Sequence, residues 1–213
     1  MKDFFIENEI YPYLGVHYQN ITGEKVKVLK GHPLEIFVTF PMNEKLFLEG
    51  LESLDWFTVK YLFSVASEDD CSAAETIVQK YNIVNYEFRP FFDGHNLAFF
   101  EQEVFLTRDD IASMPVEQRV VFAHQKMNTN FFGQIVLLPN GDVKANPNGK
   151  VLGNIHHDHI SNILEKELVG TDFWRNIRDR KPCMDCLYQF VCPAPSNYET
   201  VIGRRNLCTL YNE

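Results

Sequence analysis

Four cysteines stand in the last thirty-one residues, Cys183, Cys186, Cys192 and Cys208, in the spacing C-x2-C-x5-C-x15-C, and the fifth, Cys71, lies more than a hundred residues upstream. Two cysteines separated by two residues chelate one centre from a single tight turn. A third five residues on closes a local knuckle, and a fourth beyond a loop completes an all-thiolate set of four ligands. Either a structural zinc ion or a [4Fe-4S] cluster uses such a set, and the spacing alone does not choose between them. Disulfide pairing is the competing use of the same residues. It fits poorly with the start Met1-Lys2-Asp3-Phe4-Phe5-Ile6-Glu7, which returns to charge too soon for a secretory leader. Reduced thiols and a cytoplasmic protein are the expectation.

Other chemistry-bearing residues are weaker. His156, His157 and His159 with Asp158 resemble a metal cluster, but adjacent side chains diverge, and Asp158 or Ser161 serves as well to cap a following helix. Cys71 sits beside Asp69 and Asp70, which disfavour a thiolate, and no histidine is near it in sequence. Pro193-Ala194-Pro195-Ser196-Asn197-Tyr198-Glu199 is expected to wrap the centre, either as a rigid loop or with backbone, Ser196 and Asn197 donors on the sulfurs. Tyr188 is expected to pack on the knuckle. The basic stretch 175–181 reads as the solvated end of a helix. Net charge is −9 and no basic stripe stands out, so a nucleic-acid surface is not expected. No apolar run approaches a membrane span, and neither a phosphate-cradling glycine motif nor a Gly-x-Ser-x-Gly elbow occurs.

The elements that must position the cysteines follow from periodicity. Compact β-forming runs at 34–40, 59–66 and 85–91 alternate with helical stretches at 44–54, capped by Asn43, and at 72–82, opened by a Ser72-Ala73-Ala74-Glu75 capping box. That rhythm predicts a small parallel sheet with crossover helices. The first thirty residues hold an aromatic-rich start (Phe4, Phe5, Tyr11, Tyr13) and a short alternation at 25–29, and they are not assigned. Thr107-Arg108-Asp109-Asp110 starts another helix, which Pro115 interrupts before a helical stretch at 116–126. Pro139-Asn140-Gly141 between 133–138 and 142–145 is a hairpin signal. Gly149 and Gly153 punctuate a loop, and a helix over 159–179 is expected to lead into the cysteines. The division into domains is placed at 1–128 and 129–213.

The tail from Cys183 through Cys186, Cys192-Pro193 and Ile202-Gly203 to Cys208 resembles the SPASM and twitch extensions of radical SAM peptide maturases. The stretches 96–107, 137–143 and 152–155 are similar to the same family, closest to the pseudo-radical-SAM companion proteins of Bacteroidales peptide-modification systems. The resemblance covers 96–213 well and 30–95 loosely. It implies an α/β fold, a partial radical-SAM-type (β/α) barrel sheet followed by a SPASM/twitch-like β-hairpin, helix and four-cysteine knuckle. It favours one [4Fe-4S] cluster over one Zn2+ on Cys183, Cys186, Cys192 and Cys208.

Two departures limit what is carried over. A complete SPASM region binds two clusters with seven cysteines, and here the first set is missing, with Asn146 in the stretch that usually supplies a ligand. No C-x3-C-x2-C triplet occurs, so this chain alone is not expected to bind or cleave SAM, and no catalytic residue is assigned. The implied role is that of an assistant in post-translational modification of a ribosomal peptide, binding the precursor peptide or an active radical SAM maturase, or relaying electrons. Two alternatives stand beside it: the C-terminal part of an active maturase, and a zinc-stabilised interaction domain.

Overall fold

The computed structural model describes residues 13–21, 33–54, 58–170 and 172–211. The chain is α/β and divides into two compact units, Met1–Phe99 and Phe100–Glu213. The sequence boundary placed near 128 therefore falls inside the second unit.

The first unit is a four-stranded parallel sheet in the order β1-β2-β3-β4, formed by β1 (Leu14–His17), β2 (Leu34–Thr39), β3 (Val59–Val65) and β4 (Tyr86–Pro90). Helix α1 (Glu44–Glu52) connects β2 to β3, and α2 (Glu68–Lys80) connects β3 to β4. Parallel neighbours need such crossovers, because a tight turn joins only antiparallel strands. Three of these strands match the expected runs, and β1 is added at the edge, with Leu14 opposite Leu34. The alternation at 25–29 and the residues Phe4, Phe5 and Tyr11 lie outside the described residues.

Strand β2 buries Leu34, Ile36 and Val38, while β3 buries Tyr61, Leu62 and Phe63 in succession and so is covered on both faces. Rings dominate the packing. Phe47 meets Tyr18, Tyr61 and Tyr81, and Phe63 meets Phe40, Tyr61, Tyr86 and Phe88. Asn43 caps α1 as expected, its Oδ1 accepting from the Leu46 N–H at 3.2 Å, and its own N–H donates to the Tyr18 hydroxyl at 2.9 Å. Helix α2 starts one turn earlier than the Ser72 motif implies. Ser67 accepts from the Asp70 N–H at 3.2 Å, and Glu68, Asp69 and Asp70 fill the first turn, where the helix dipole favours negative charge.

The second unit is made of short pieces: α3 (Leu97–Glu103, whose first three residues precede the division), α4 (Arg108–Ser113), α5 (Gln118–His124), the strands β5 (Val136–Leu137), β6 (Asp142–Lys144) and β7 (Gly153–Asn154), and α6 (Ile160–Gly170). A 3-10 turn at Cys183–Asp185 and helix α7 (Asn197–Ile202) complete it. Helix α4 starts at Thr107 as expected, and Thr107 and Asp110 form a capping box there. The Asn140-Gly141 hairpin is present, with Val136 opposite Lys144 and Gly141 at φ 88°, a conformation that suits glycine. The glycine-punctuated loop contributes β7, which pairs antiparallel with β6. The core holds Val143, Ala145, Leu152, Ile163 and Trp174.

The helix expected over 159–179 ends at Gly170. Glu167, 1% exposed, accepts from the backbone N–H of Phe173 at 2.7 Å and of Trp174 at 2.9 Å. A buried carboxylate that captures two downstream amides turns the chain there, and helical periodicity does not foresee such a contact. Among the described residues no helix is long and apolar enough to cross a membrane.

Candidate metal centre

The segment entering the cysteines is built by local hydrogen bonds. Cys183 opens the 3-10 turn, and the N–H of Cys186 donates back to its carbonyl at 3.1 Å. The chain then turns twice more: the Gln189 N–H donates to the Cys186 carbonyl at 3.1 Å, and the Cys192 N–H to the Tyr188 carbonyl at 2.9 Å. The Gln189 side chain donates to the Arg178 carbonyl at 2.6 Å and ties this knuckle to the segment before it. His124, at the end of α5, bonds the Phe190 carbonyl through Nδ1 at 3.0 Å.

Cys208 comes from a different part of the unit. It forms an isolated parallel bridge with Leu106, whose N–H donates to the Leu207 carbonyl at 2.9 Å while its carbonyl accepts from Thr209 at 3.0 Å. The short connection between α3 and α4 thereby sets the fourth cysteine. Cys183, Cys186, Cys192 and Cys208 all line one small cavity of about 20 Å³, together with Arg178, Tyr188, Asn206 and an apolar wall that includes Leu106 and Ile111. All five cysteines are free thiols. Cys71 instead packs against the core of the first unit.

Donors surround the sulfurs. Arg178 Nη1 lies 3.6 Å from Cys183 Sγ, the Tyr188 N–H donates to Cys186 Sγ at 3.4 Å, and Asn206 Nδ2 donates to Cys208 Sγ at 3.4 Å. The Tyr211 phenol also hydrogen-bonds Cys186, and this contact holds its pKa above the ordinary value. Burial pushes the Cys192 thiol up to about 11 and raises Cys183 as well, with the Arg178 charge opposing both. Without a metal these two sulfurs are therefore neutral thiols near neutral pH, and a metal would have to displace their protons.

Arg178 contradicts the expectation that 175–181 is a solvated helix end. Its side chain is 9% exposed and pairs with Glu199, 6% exposed, through Nη2–Oε1 at 2.8 Å. Burial works against the guanidinium charge, and Glu199 and then Cys183, each by charge and hydrogen bond, together outweigh it and hold the Arg178 pKa above its ordinary value. Nothing in the basic run marks Arg178 out among its neighbours. The Ser196-x-x-Glu199 capping box was a readable signal for Glu199, and it caps α7 in the structure.

The loop Pro193 to Ser196 is held as a rigid strap. Its carbonyls accept from Arg178 Nε (Pro193, 2.6 Å), Asn130 Nδ2 (Ala194, 3.0 Å) and the fully buried Asn128 Nδ2 (Pro195, 2.8 Å). Among the described residues the donors on sulfur come from Arg178, Tyr188, Asn206 and Tyr211, and none is seen from Ser196 or Asn197. Tyr188 packs on the knuckle as expected and lines the cavity. His159 accepts the Ser161 N–H at 3.4 Å and Asp158 accepts the Asn154 N–H at 2.8 Å, so both serve the turn before α6.

The chemistry of the donor set fits an all-thiolate metal group: four sulfurs on one cavity, N–H donors on three of them, a buried cation and a largely apolar wall. The sulfurs border a space and do not close on a point. Among the described residues no group of three or more His, Cys, Asp or Glu side chains stands in the arrangement of a metal-ion site. No protein-family model matches the chain, and neither a curated protein nor a solved structure matches it.

Proposed function

We propose that the chain is a radical-SAM/SPASM-type protein without SAM chemistry of its own, holding one metal centre on Cys183, Cys186, Cys192 and Cys208. The single observation that carries this is the meeting of all four tail cysteines on one cavity, although Cys208 is separated from the others by fifteen residues. A [4Fe-4S] cluster is the leading occupant, on the resemblance of the tail to SPASM and twitch extensions. Such a cluster supplies one-electron transfer when bound. The chain's own residues would then exclude water with Leu106 and Ile111, hold the sulfurs by N–H bonds, and leave no open coordination position for substrate.

The four-stranded parallel sheet supports descent from a partial (β/α) barrel. In that reading the protein assists modification of a ribosomal peptide, binding the precursor or an active maturase or relaying electrons to it. Strands β1 and β4 are the ends of the described sheet order, and strand addition along such an end is a physical route for docking an extended peptide. A zinc ion on the same sulfurs is the second reading, since the thiolate set suits it equally and would make the unit a stabilised interaction domain. A C-terminal piece of an active maturase is the third, and a cysteine triplet in the gene upstream of these residues would establish it.

Elemental analysis of anaerobically purified protein decides the occupant. About four iron and four sulfide per chain is the expected result. Stoichiometric zinc points to the interaction domain, and no metal at all on the intact chain overturns the centre. The purified chain is expected to form no 5′-deoxyadenosine from SAM; sustained formation would refute the non-catalytic role.

A further inference from the structure

One Glu199 oxygen serves the capping box of α7, a task that needs no buried cation, and the Arg178 paired with the other oxygen belongs to no helix or strand. Each of its atoms is nevertheless used. Arg178 Nε donates to the Pro193 carbonyl at 2.6 Å, Nη2 to Glu199 at 2.8 Å, and Nη1 points to Cys183 Sγ at 3.6 Å. The other Glu199 oxygen accepts from the Ser196 N–H at 2.5 Å and the Ser196 hydroxyl at 2.6 Å. Both side chains are more than nine-tenths buried. A buried ion pair is weak support for stability by itself, because desolvation offsets its attraction. Its orientation is the informative part: the cation faces the sulfur cavity and the anion stands one layer behind.

We propose that Arg178 is a tuning residue of the four-sulfur centre, a fixed cation that stabilises electron density on Cys183, and that Glu199 is the positioning residue that aims it and limits its effect. The inference rests on the centre proposed above. Only arginine suits the place, since a planar fork reaches a carbonyl, a carboxylate and a sulfur in three directions, whereas an ammonium is a compact point charge. Second-layer hydrogen bonds and charges of this kind set the potential of iron–sulfur centres and the donor strength of thiolates. The sign follows from Coulomb's law. Removing the cation makes the centre harder to reduce, and removing the anion makes it easier.

The test uses the full chain, loaded anaerobically with ferrous iron and sulfide, and reads the midpoint potential. Arg178→Gln is expected to shift it to more negative values, Glu199→Gln to more positive values, and Arg178→Lys to a value between Arg178→Gln and the native chain. Opposite signs for the two glutamine variants are what a merely structural pair would not produce, since loosening the site moves both alike. Equal potentials in all four proteins, or shifts of the same sign, overturn the assignment. If Arg178→Gln does not fold, Arg178→Lys and Glu199→Gln carry the same sign test.

If the chain takes zinc and no cluster, the iron–sulfur reading fails and the tuning role is read with cobalt(II) as probe. The sulfur-to-cobalt charge-transfer band is then expected at longer wavelength in Arg178→Gln and at shorter wavelength in Glu199→Gln. A band that does not move overturns the tuning role alone. A native chain that takes up neither iron–sulfide nor cobalt on its thiols overturns the centre and the tuning role together.

Discussion

The two units are held together by different physics. In the first, strands of four to seven residues alternate with helices of nine and thirteen residues over a core crowded with rings. In the second, two strands have only two residues, the core is small, and the buried polar or charged residues found among the described residues are there: His124, Asn128, Asn146, Glu167, Glu199 and Asn206. All six make hydrogen bonds, to backbone groups, to Arg178 or to a cysteine sulfur. Burial of apolar surface is nondirectional and tolerant of detail, whereas a buried polar contact fixes one geometry. The lesson is that the second unit is specified for placement of particular atoms, as a domain built around a metal group would be.

The comparison breaks first at the cysteines. Cys186→Ser should empty the centre and lower the unfolding temperature of the second unit, while Cys71→Ser should do neither. Structural thiolate sites contribute on the order of 10 kcal/mol to folding, so loss of one ligand should remove several of these. Metal analysis paired with calorimetry checks it, and equal effects from the two variants would argue against a shared centre. Next in size, Phe63→Ala, at a side chain that is fully buried among four other rings, should cost the first unit about 3–5 kcal/mol with metal content unchanged. Urea unfolding followed together with metal retention reads both halves of that statement.

Two smaller changes sharpen the contrast. Glu167→Ala leaves the Phe173 and Trp174 amides without their acceptor and should destabilise the second unit by about 2–4 kcal/mol, seen in urea unfolding by Trp174 fluorescence. Asn128→Ala removes the bond to the Pro195 carbonyl and should cost about 1–3 kcal/mol. Because it loosens the strap beside Cys192, it should also speed metal loss to a chelator, an effect with no counterpart in the first unit. Thr107→Ala should be the mildest, about 1 kcal/mol for a lost cap, by thermal unfolding.

Legibility followed the same line between local and distant causes. Asn43, Thr107 and Asn140-Gly141 act within three residues of themselves, and each did in the structure what its type implies. The Ser72 motif also satisfies the capping pattern and so competes as a start for α2. Ser67 prevailed because it stands where β3 ends and its first turn carries three acidic residues. Strand β1 is not legible in the sequence, because four residues, with a glycine among them, carry too little periodicity to be told from loop. The premature end of α6 depends on Glu167, a residue that looks like any solvent-facing helix position until the chain folds back over it.

By sequence alone, the α/β character, the hairpin and the grouping of Cys183, Cys186 and Cys192 in one knuckle were already determined, because short spacing leaves a chain few ways to arrange its sulfurs. Only the tertiary structure decided how Cys208, expected as the fourth member, reaches them, through its bridge to Leu106, and that Arg178 and Glu199 would be buried behind Cys183. The physical reason is that chelate spacing, caps and turns are set by bonds a few residues long. A buried charge pair or a bridge between segments a hundred residues apart acquires its meaning only when folding removes the water around it.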